Sequence, residues 1–291
     1  MRFAALCALL AFASPLSAAP LNVITDIPPV QSLVAQVMGD HAEPDLLLSR
    51  GTDPHSFQLR PSQARAIAGA DLVVWIGPEL TPWLQRALDG VGADVDGLAL
   101  MQDPVTRLRA PDSQEADAEP QTHVWLDPEN AIAWLPVIAD RLAAADPEHA
   151  ADFAANAKAA AERIGALTND LQAELAPVRD RPIVVLHDAY GYFADRFGVS
   201  IAGSLREGDA ASPGAGRVAD LRDLIVAQDI ACVFAEPQQS RALLETLVEG
   251  TDARMAELDP TGGTLATGPA LYDAMLRKMT AEITGCLGAA Q

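Results

Sequence analysis

Residues 147–177, PEHAADFAANAKAAAERIGALTNDLQAELAP, decide the architecture of this 291-residue chain. The stretch is rich in alanine, with no internal proline and a single glycine, Gly165. Leu167, Leu171 and Leu175 recur at four-residue steps, and Ile164 stands three before the first of them, so one helical face is apolar. Pro147 suits a first helical turn, where its missing N–H is no loss. The pattern predicts one helix about 45 Å long at about 1.5 Å per residue. Helices of that length bridge separate bodies, and this one reads as a rigid connector between two lobes.

On both sides of it, strand-like apolar runs alternate with helix-like ones, the order that a parallel sheet with crossover helices requires. Before the connector the strand candidates are 21–25, 44–48, 72–76 and 98–101, with helix candidates at 30–38, 62–68 and 82–88 and a further helix entered at Glu129. After it the strand candidates are 183–186, 200–202, 232–235 and 254–258. The helices there are expected at 189–197, 217–228, 240–249 and 271–287. The fold class is therefore α/β, with two parallel-sheet lobes at 19–145 and 179–291 joined by a long helix within 146–178. A chain of this length can bury a core in each lobe.

Residues 1–18 stand apart. Arg2 supplies a short positive start, 3–12 an apolar run, and Leu16-Ser17-Ala18 small residues before a cut at Ala19, so a cleaved signal peptide is expected. The run is shorter than the roughly 20 apolar residues of a spanning helix. An exported periplasmic protein is the expectation. Cys7 lies in the middle of the apolar run, too early for a lipid-anchored terminus, and would leave with the leader. Cys232 and Cys286 remain; in an oxidising compartment they favour one disulfide, and two buried thiols are the alternative. The net charge of −20 excludes a nucleic-acid partner, whose phosphates demand a basic face, and disfavours anionic lipid.

Five histidines are present. His41 lies in a polar turn and His149 at the start of the long helix, where bland surface roles suffice. His55 follows the Gly51-Thr52-Asp53-Pro54 turn. His123 opens His-Val-Trp-Leu-Asp-Pro, His187 ends the run 183–186, and Asp259 ends the run 254–258. His55, His187 and Asp259 thus sit beyond the C-terminal ends of strands, where open α/β sheets place their ligands. Three imidazoles and a carboxylate make a complete four-coordinate set for zinc. Their wide spacing in sequence adds no evidence of its own. Asp127, Asp188 and Glu236 are candidates to orient the imidazoles.

Five motifs in order carry a resemblance: GTDPHSFQLRPS at 51–62, HVWLDPEN at 123–130, HDAYGYF at 187–193, CVFAEPQ at 232–238 and LDPTG at 258–262. On these the chain resembles the solute-binding proteins of zinc ABC transporters, the ZnuA type among metal-binding solute-binding proteins. The resemblance implies two α/β lobes joined by a rigid helix, with a metal in the cleft between them. It implies His55 and His123 as ligands from the first lobe, His187 and Asp259 from the second, and Zn(II) as the bound and transported ligand. Manganese-selective relatives carry a carboxylate at the position of His187, and imidazole suits zinc better. The family's zinc members also carry a disulfide in the second lobe, matched by Cys232 and Cys286. The implied partner is the membrane subunit of an ABC permease, with a periplasmic zinc metallochaperone as a further class, and a monomer is expected. Many zinc members have a histidine-rich acidic loop before the second ligand. Here 102–121 is acidic, short and free of histidine, and composition alone makes it a mobile surface loop. The competing readings are a manganese transporter component, a metal-binding adhesin on the same fold, and a zinc hydrolase. The chain lacks HExxH and GxSxG, which counts against an enzyme.

Overall fold

A computed structural model describes residues 20–48, 51–52, 54–55, 57–91, 95–109, 121–206, 214–237 and 241–288. The expected leader at 1–18 and most of the acidic segment 102–121 lie outside the described residues.

The first lobe is built from β1 (Val23–Thr25), α1 (Pro28–Met38), β2 (Asp45–Leu46), α2 (Pro61–Ala68), β3 (Leu72–Trp75), α3 (Pro82–Val91) and β4 (Asp96–Ala99). Then come α4 (Pro128–Ala145) and the long helix α5 (Ala150–Leu175). The second lobe holds β5 (Ile183–His187), α6 (Gly191–Phe197), β6 (Ile201–Arg206), α7 (Ala215–Ala227), β7 (Cys232–Ala235), α8 (Ala242–Val248), β8 (Arg254–Glu257) and α9 (Leu271–Gly288). Both sheets are parallel and share one strand pattern, β2-β1-β3-β4 and β6-β5-β7-β8. Every strand and helix read from the sequence is present, with shifted ends.

Helices cover both faces of a parallel sheet, so its central strands must be apolar throughout rather than alternating. Val23-Ile24-Thr25, Leu72-Val73-Val74-Trp75, Ile183-Val184-Val185-Leu186-His187 and Cys232-Val233-Phe234-Ala235 are buried at every position. The edge strands β2, β4, β6 and β8 are exposed or half-buried at most of theirs. In each sheet the chain reverses its winding between the two central strands, and the C-terminal ends there form the crevice that ligands use.

Helix α5 spans 26 residues, about 39 Å at about 1.5 Å per residue. Pro147 does not start it: Pro147–His149 form a separate 3-10 turn, parted from α4 by the non-helical backbone of Asp146 and from α5 by His149 at φ −102°, ψ 11°. Phe153, Ala157, Ala160, Ile164, Leu167, Leu171 and Leu175 make its buried stripe, packed against α4, α1, α9 and α6. Fully burying one Leu or Ile contributes about 1.5–3 kcal/mol. Helix α5 is thus held along its length rather than standing free as a strut.

The second connector is α9. Its start lies against α1, where Ser32 Oγ donates to the Pro269 carbonyl at 3.1 Å and accepts the Tyr272 N–H at 3.0 Å. Gln36 Nε2 also donates to the Pro269 carbonyl, at 2.8 Å, and Gln31 Oε1 accepts the Gly268 N–H at 3.1 Å. Near its end Cys286 forms a disulfide with Cys232 at the start of β7. Helix α9, read from sequence as part of the second lobe, therefore touches both.

Candidate metal site

His55 is placed from three directions. Trp83 Nε1 on α3 donates to the Pro54 carbonyl at 3.1 Å, holding the residue before it. Gln63 Nε2 on α2 donates to the Leu47 carbonyl at 2.6 Å, and the Leu48 N–H donates to the Asp26 carbonyl at 3.0 Å. The loop leaving β2 is thereby pinned to β1. The Asp26 side chain, fully buried, extends the tie to β3: its oxygens accept the Ile27 N–H at 2.8 Å and the Ile76 N–H at 3.0 Å. Burial pushes its carboxyl up to about 7, against those two donors and a Thr81 hydrogen bond.

His123 precedes a 3-10 turn, Val124–Leu126, that runs into α4. Asp127 and Asn130 of HVWLDPEN fix that turn. Asp127 caps α4 by accepting the Glu129 N–H at 3.1 Å, and Pro128 takes the first helical position. Asn130 accepts the Arg107 N–H at 2.8 Å and donates to the carbonyls of Val124 and Arg107. Trp125 Nε1 reaches across the lobes to the Pro260 carbonyl at 2.7 Å, and Tyr272 Oη donates to the Trp125 carbonyl at 2.7 Å.

His187 is the last residue of β5, with its side chain 7% exposed, and its Nδ1 lies 2.9 Å from Glu236 Oε1, just past β7. The Tyr190 hydroxyl donates to the same oxygen at 3.0 Å and lies 3.3 Å from the Leu258 carbonyl. Nδ1 and Glu236 Oε1 thus form a buried imidazole–carboxylate pair that orients the His187 ring. Burial, with Glu236 next in effect, pushes the Tyr190 hydroxyl well above its usual range, so it stays a donor. Of the three carboxylates proposed to orient imidazoles, Glu236 pairs with a histidine. Asp127 instead caps α4 and receives Arg196 from α6 in two bonds, of 2.6 and 3.0 Å. Asp188 donates its N–H to the Arg206 carbonyl.

Among the described residues, His55, His123 and His187 form a group in which one ligand nitrogen from each lies within 4.8 Å of the others. Their ring centres are 5.5 Å (His55–His123), 6.1 Å (His55–His187) and 4.9 Å (His123–His187) apart. With zinc–nitrogen bonds of about 2.0–2.1 Å, tetrahedral imidazoles place their ring centres roughly 5.2 Å apart. The observed separations bracket that value, so a small contraction of the trio suffices. Two of the rings come from the first lobe and one from the second.

Asp259 lies outside that 4.8 Å group. It sits two residues past β8, 4% exposed. Tyr190 touches the neighbouring Leu258 and Trp125 the neighbouring Pro260, which links Asp259 to the histidines through two buried side chains. Its carboxylate accepts four hydrogen bonds, two from Thr261 and two from Thr264.

The residues that hold the lobes together around the trio have weaker sequence signals. Arg109 donates from its N–H to Tyr192 Oη at 3.0 Å and pairs with Asp195 at 2.7 Å. Gly191 permits this approach: a Cβ there would lie 2.8 Å from Arg109 Nη1 and would also collide with Gln121. The glycine of HDAYGYF was thus a readable signal, whereas Arg109 and Arg196 sit in no motif.

The family described as "Zinc-uptake complex component A periplasmic" (ZnuA) matches residues 23–286. The chain is 40% identical to the high-affinity zinc uptake system protein ZnuA of Paracoccus denitrificans, with 95% of each chain covered. It is 34% identical to the protein of the same name from Brucella abortus, with 91% of each covered. A solved crystal structure of ZnuA superimposes with a TM-score of 0.81 at 23% identity, covering 92% of this chain and 100% of that one, a likeness of fold. The chain belongs to the ZnuA family of periplasmic zinc-uptake components.

Proposed function

We propose that this protein captures Zn(II) in the periplasm and delivers it to the membrane subunits of an ABC permease, with His55, His123 and His187 as the imidazole ligands. The observation that carries the reading is the convergence of three rings from two lobes at zinc-like spacing. The donor chemistry agrees, since imidazole suits zinc and the site offers no thiolate. Glu236 supports it further by holding the His187 ring in place through Nδ1. Asp259 would complete the set by giving up part of its present hydrogen bonding. The ion is cargo, and its binding replaces its water shell while releasing protons from any ligand protonated beforehand. The role is binding and transfer, without catalysis. Among the described residues no helix is long and apolar enough to cross a membrane, and the membrane step falls to the permease.

Metal analysis of the protein as isolated, followed by competition titration of Zn(II) against Mn(II), tests the reading. Zinc should be found and should win. His187→Ala and His123→Ala should each weaken zinc binding by at least the 10–100-fold typical of outer-shell changes. Unchanged affinity in either variant would remove that residue from the site.

A further inference from the structure

We infer that Thr261 and Thr264 set the metal preference of the site by occupying the lone pairs of Asp259, an inference that rests on the zinc-binding reading above. Asp259 Oδ1 accepts the Thr261 N–H at 3.2 Å and the Thr261 hydroxyl at 3.1 Å. Oδ2 accepts the Thr264 N–H at 2.9 Å and the Thr264 hydroxyl at 3.0 Å. A carboxylate offers about four lone-pair positions, and these donors engage both of its oxygens. Lys278 Nζ on α9 donates to Thr264 Oγ1 at 3.0 Å, which leaves that hydroxyl's single proton for Asp259.

The cage is built into the turn. Gly262 lies between the two threonines at φ +66°, left-handed backbone that glycine adopts without strain, and a Cβ there would meet Leu271 at 3.1 Å. The turn brings both threonines onto one carboxylate, and its other contacts, Trp125 on Pro260 and Gln31 on Gly268, keep it seated against the first lobe.

Monodentate ligation by Asp259 requires the release of one donor. Chelation through both oxygens requires release on each. Zinc with three imidazoles needs one further oxygen at most. Manganese and the alkaline-earth ions draw their affinity from a larger oxygen count and gain from a bidentate carboxylate. The cage therefore weighs more heavily on oxygen-seeking ions than on zinc. Thr261 and Thr264 are specificity-determining residues that touch the ion only through Asp259.

The test is competition titration of Zn(II) and Mn(II) on metal-stripped wild-type protein, Thr261→Val, Thr264→Val and the double variant. Valine keeps the branched shape and the backbone N–H but removes the hydroxyl donor. A charge-assisted hydrogen bond freed for ligation predicts Mn(II) binding roughly tenfold tighter in the double variant. Zn(II) should change much less, and the single variants should fall between. Thr→Ser at both positions keeps the hydroxyls and should return the wild-type ratio. An unchanged Zn/Mn ratio in the double variant overturns the inference, and so does a serine variant that shifts like valine. If the double variant does not fold, an unchanged ratio in both single variants overturns it equally. His187→Ala separates the two claims. Zinc affinity insensitive to that change sinks the zinc reading, whereas intact His187 dependence with a flat threonine series sinks the cage alone.

Discussion

Replacing Asp26 with asparagine should flatten a pH dependence of stability that the wild-type carboxyl imposes. Asp26 is fully buried where β1, β3 and the start of α1 meet, with backbone N–H donors from Ile27 and Ile76 on its oxygens. Its carboxyl is raised from 3.8 to about 7, chiefly by burial. A folded-state value above the unfolded one means that the native state holds the proton more tightly. The contribution to stability is therefore complete below about pH 4 and is lost as pH rises through about 7. A shift of roughly three units at about 1.4 kcal/mol each gives about 4 kcal/mol in all, of which roughly 2–3 kcal/mol falls between pH 5 and 8. Asparagine cannot ionise. It keeps one acceptor and sets an amide N–H against the other backbone donor, so the variant starts weaker at low pH and loses less on alkalinisation. Urea unfolding of both proteins at pH 5, 6, 7 and 8, with chelator present, measures the difference directly. The stability gap should narrow by roughly 2–3 kcal/mol across that range. A gap that stays constant would mean that the two N–H donors overcome desolvation and keep Asp26 ionised throughout, refuting the account.

Two further outcomes are expected. Reducing the Cys232–Cys286 bridge, which closes a separation of 54 residues, should cost about 4 kcal/mol in the chain-entropy view; a thermal midpoint unmoved by reductant would show that α9 is held by packing alone. Zinc loading should change the radius of gyration in solution scattering very little, because Arg196–Asp127, Trp125–Pro260 and the Ser32–Tyr272 contacts already cross between the lobes; a domain rotation of tens of degrees between loaded and stripped protein would overturn that.

What the sequence disclosed and what it withheld divide along the range of the interactions. The buried runs 72–76, 183–186 and 232–235 were legible because a strand covered on both faces must be apolar at every step. Strand β6 was read as 200–202 but spans Ile201–Arg206. Gly203, Ser204 and Arg206 spoil the apolar run, and the strand is held by edge pairing with β5 instead. The long helix announced itself by periodicity, yet the break at His149 that separates the Pro147 turn from α5 depends on local dihedrals and left no compositional mark. The double allegiance of α9 was hidden because Ser32, Gln31 and Gln36 meet it from more than two hundred residues away. At the site, the histidines and the motifs around them could be named from sequence. The pairing of Glu236 with His187 could not, since Glu236 arrives from another strand and is matched to the ring by tertiary packing.

The five histidines show why residue type alone carries so little, for the structure sorts them into two clusters of opposite character. His41 and His149 have ring centres 4.0 Å apart at an interplanar angle of 39°, closer than the roughly 5.2 Å of two imidazoles sharing a tetrahedral ion. Each gives a nitrogen to its own carboxylate, His41 Nε2 to Asp152 at 3.0 Å and His149 Nδ1 to Asp146 at 2.6 Å. The Asp146 bond raises the proton affinity of His149. In the cleft the rings stand farther apart and tilt by 50–83° to one another. There Glu236 holds the His187 ring through Nδ1 at 2.9 Å. Rings 4.0 Å apart are too close to share a tetrahedral ion, whereas the wider, splayed spacing in the cleft fits one. Ring separation, rather than histidine count, makes the cleft trio the candidate for the cation and leaves the pair at the head of α5 as a surface contact.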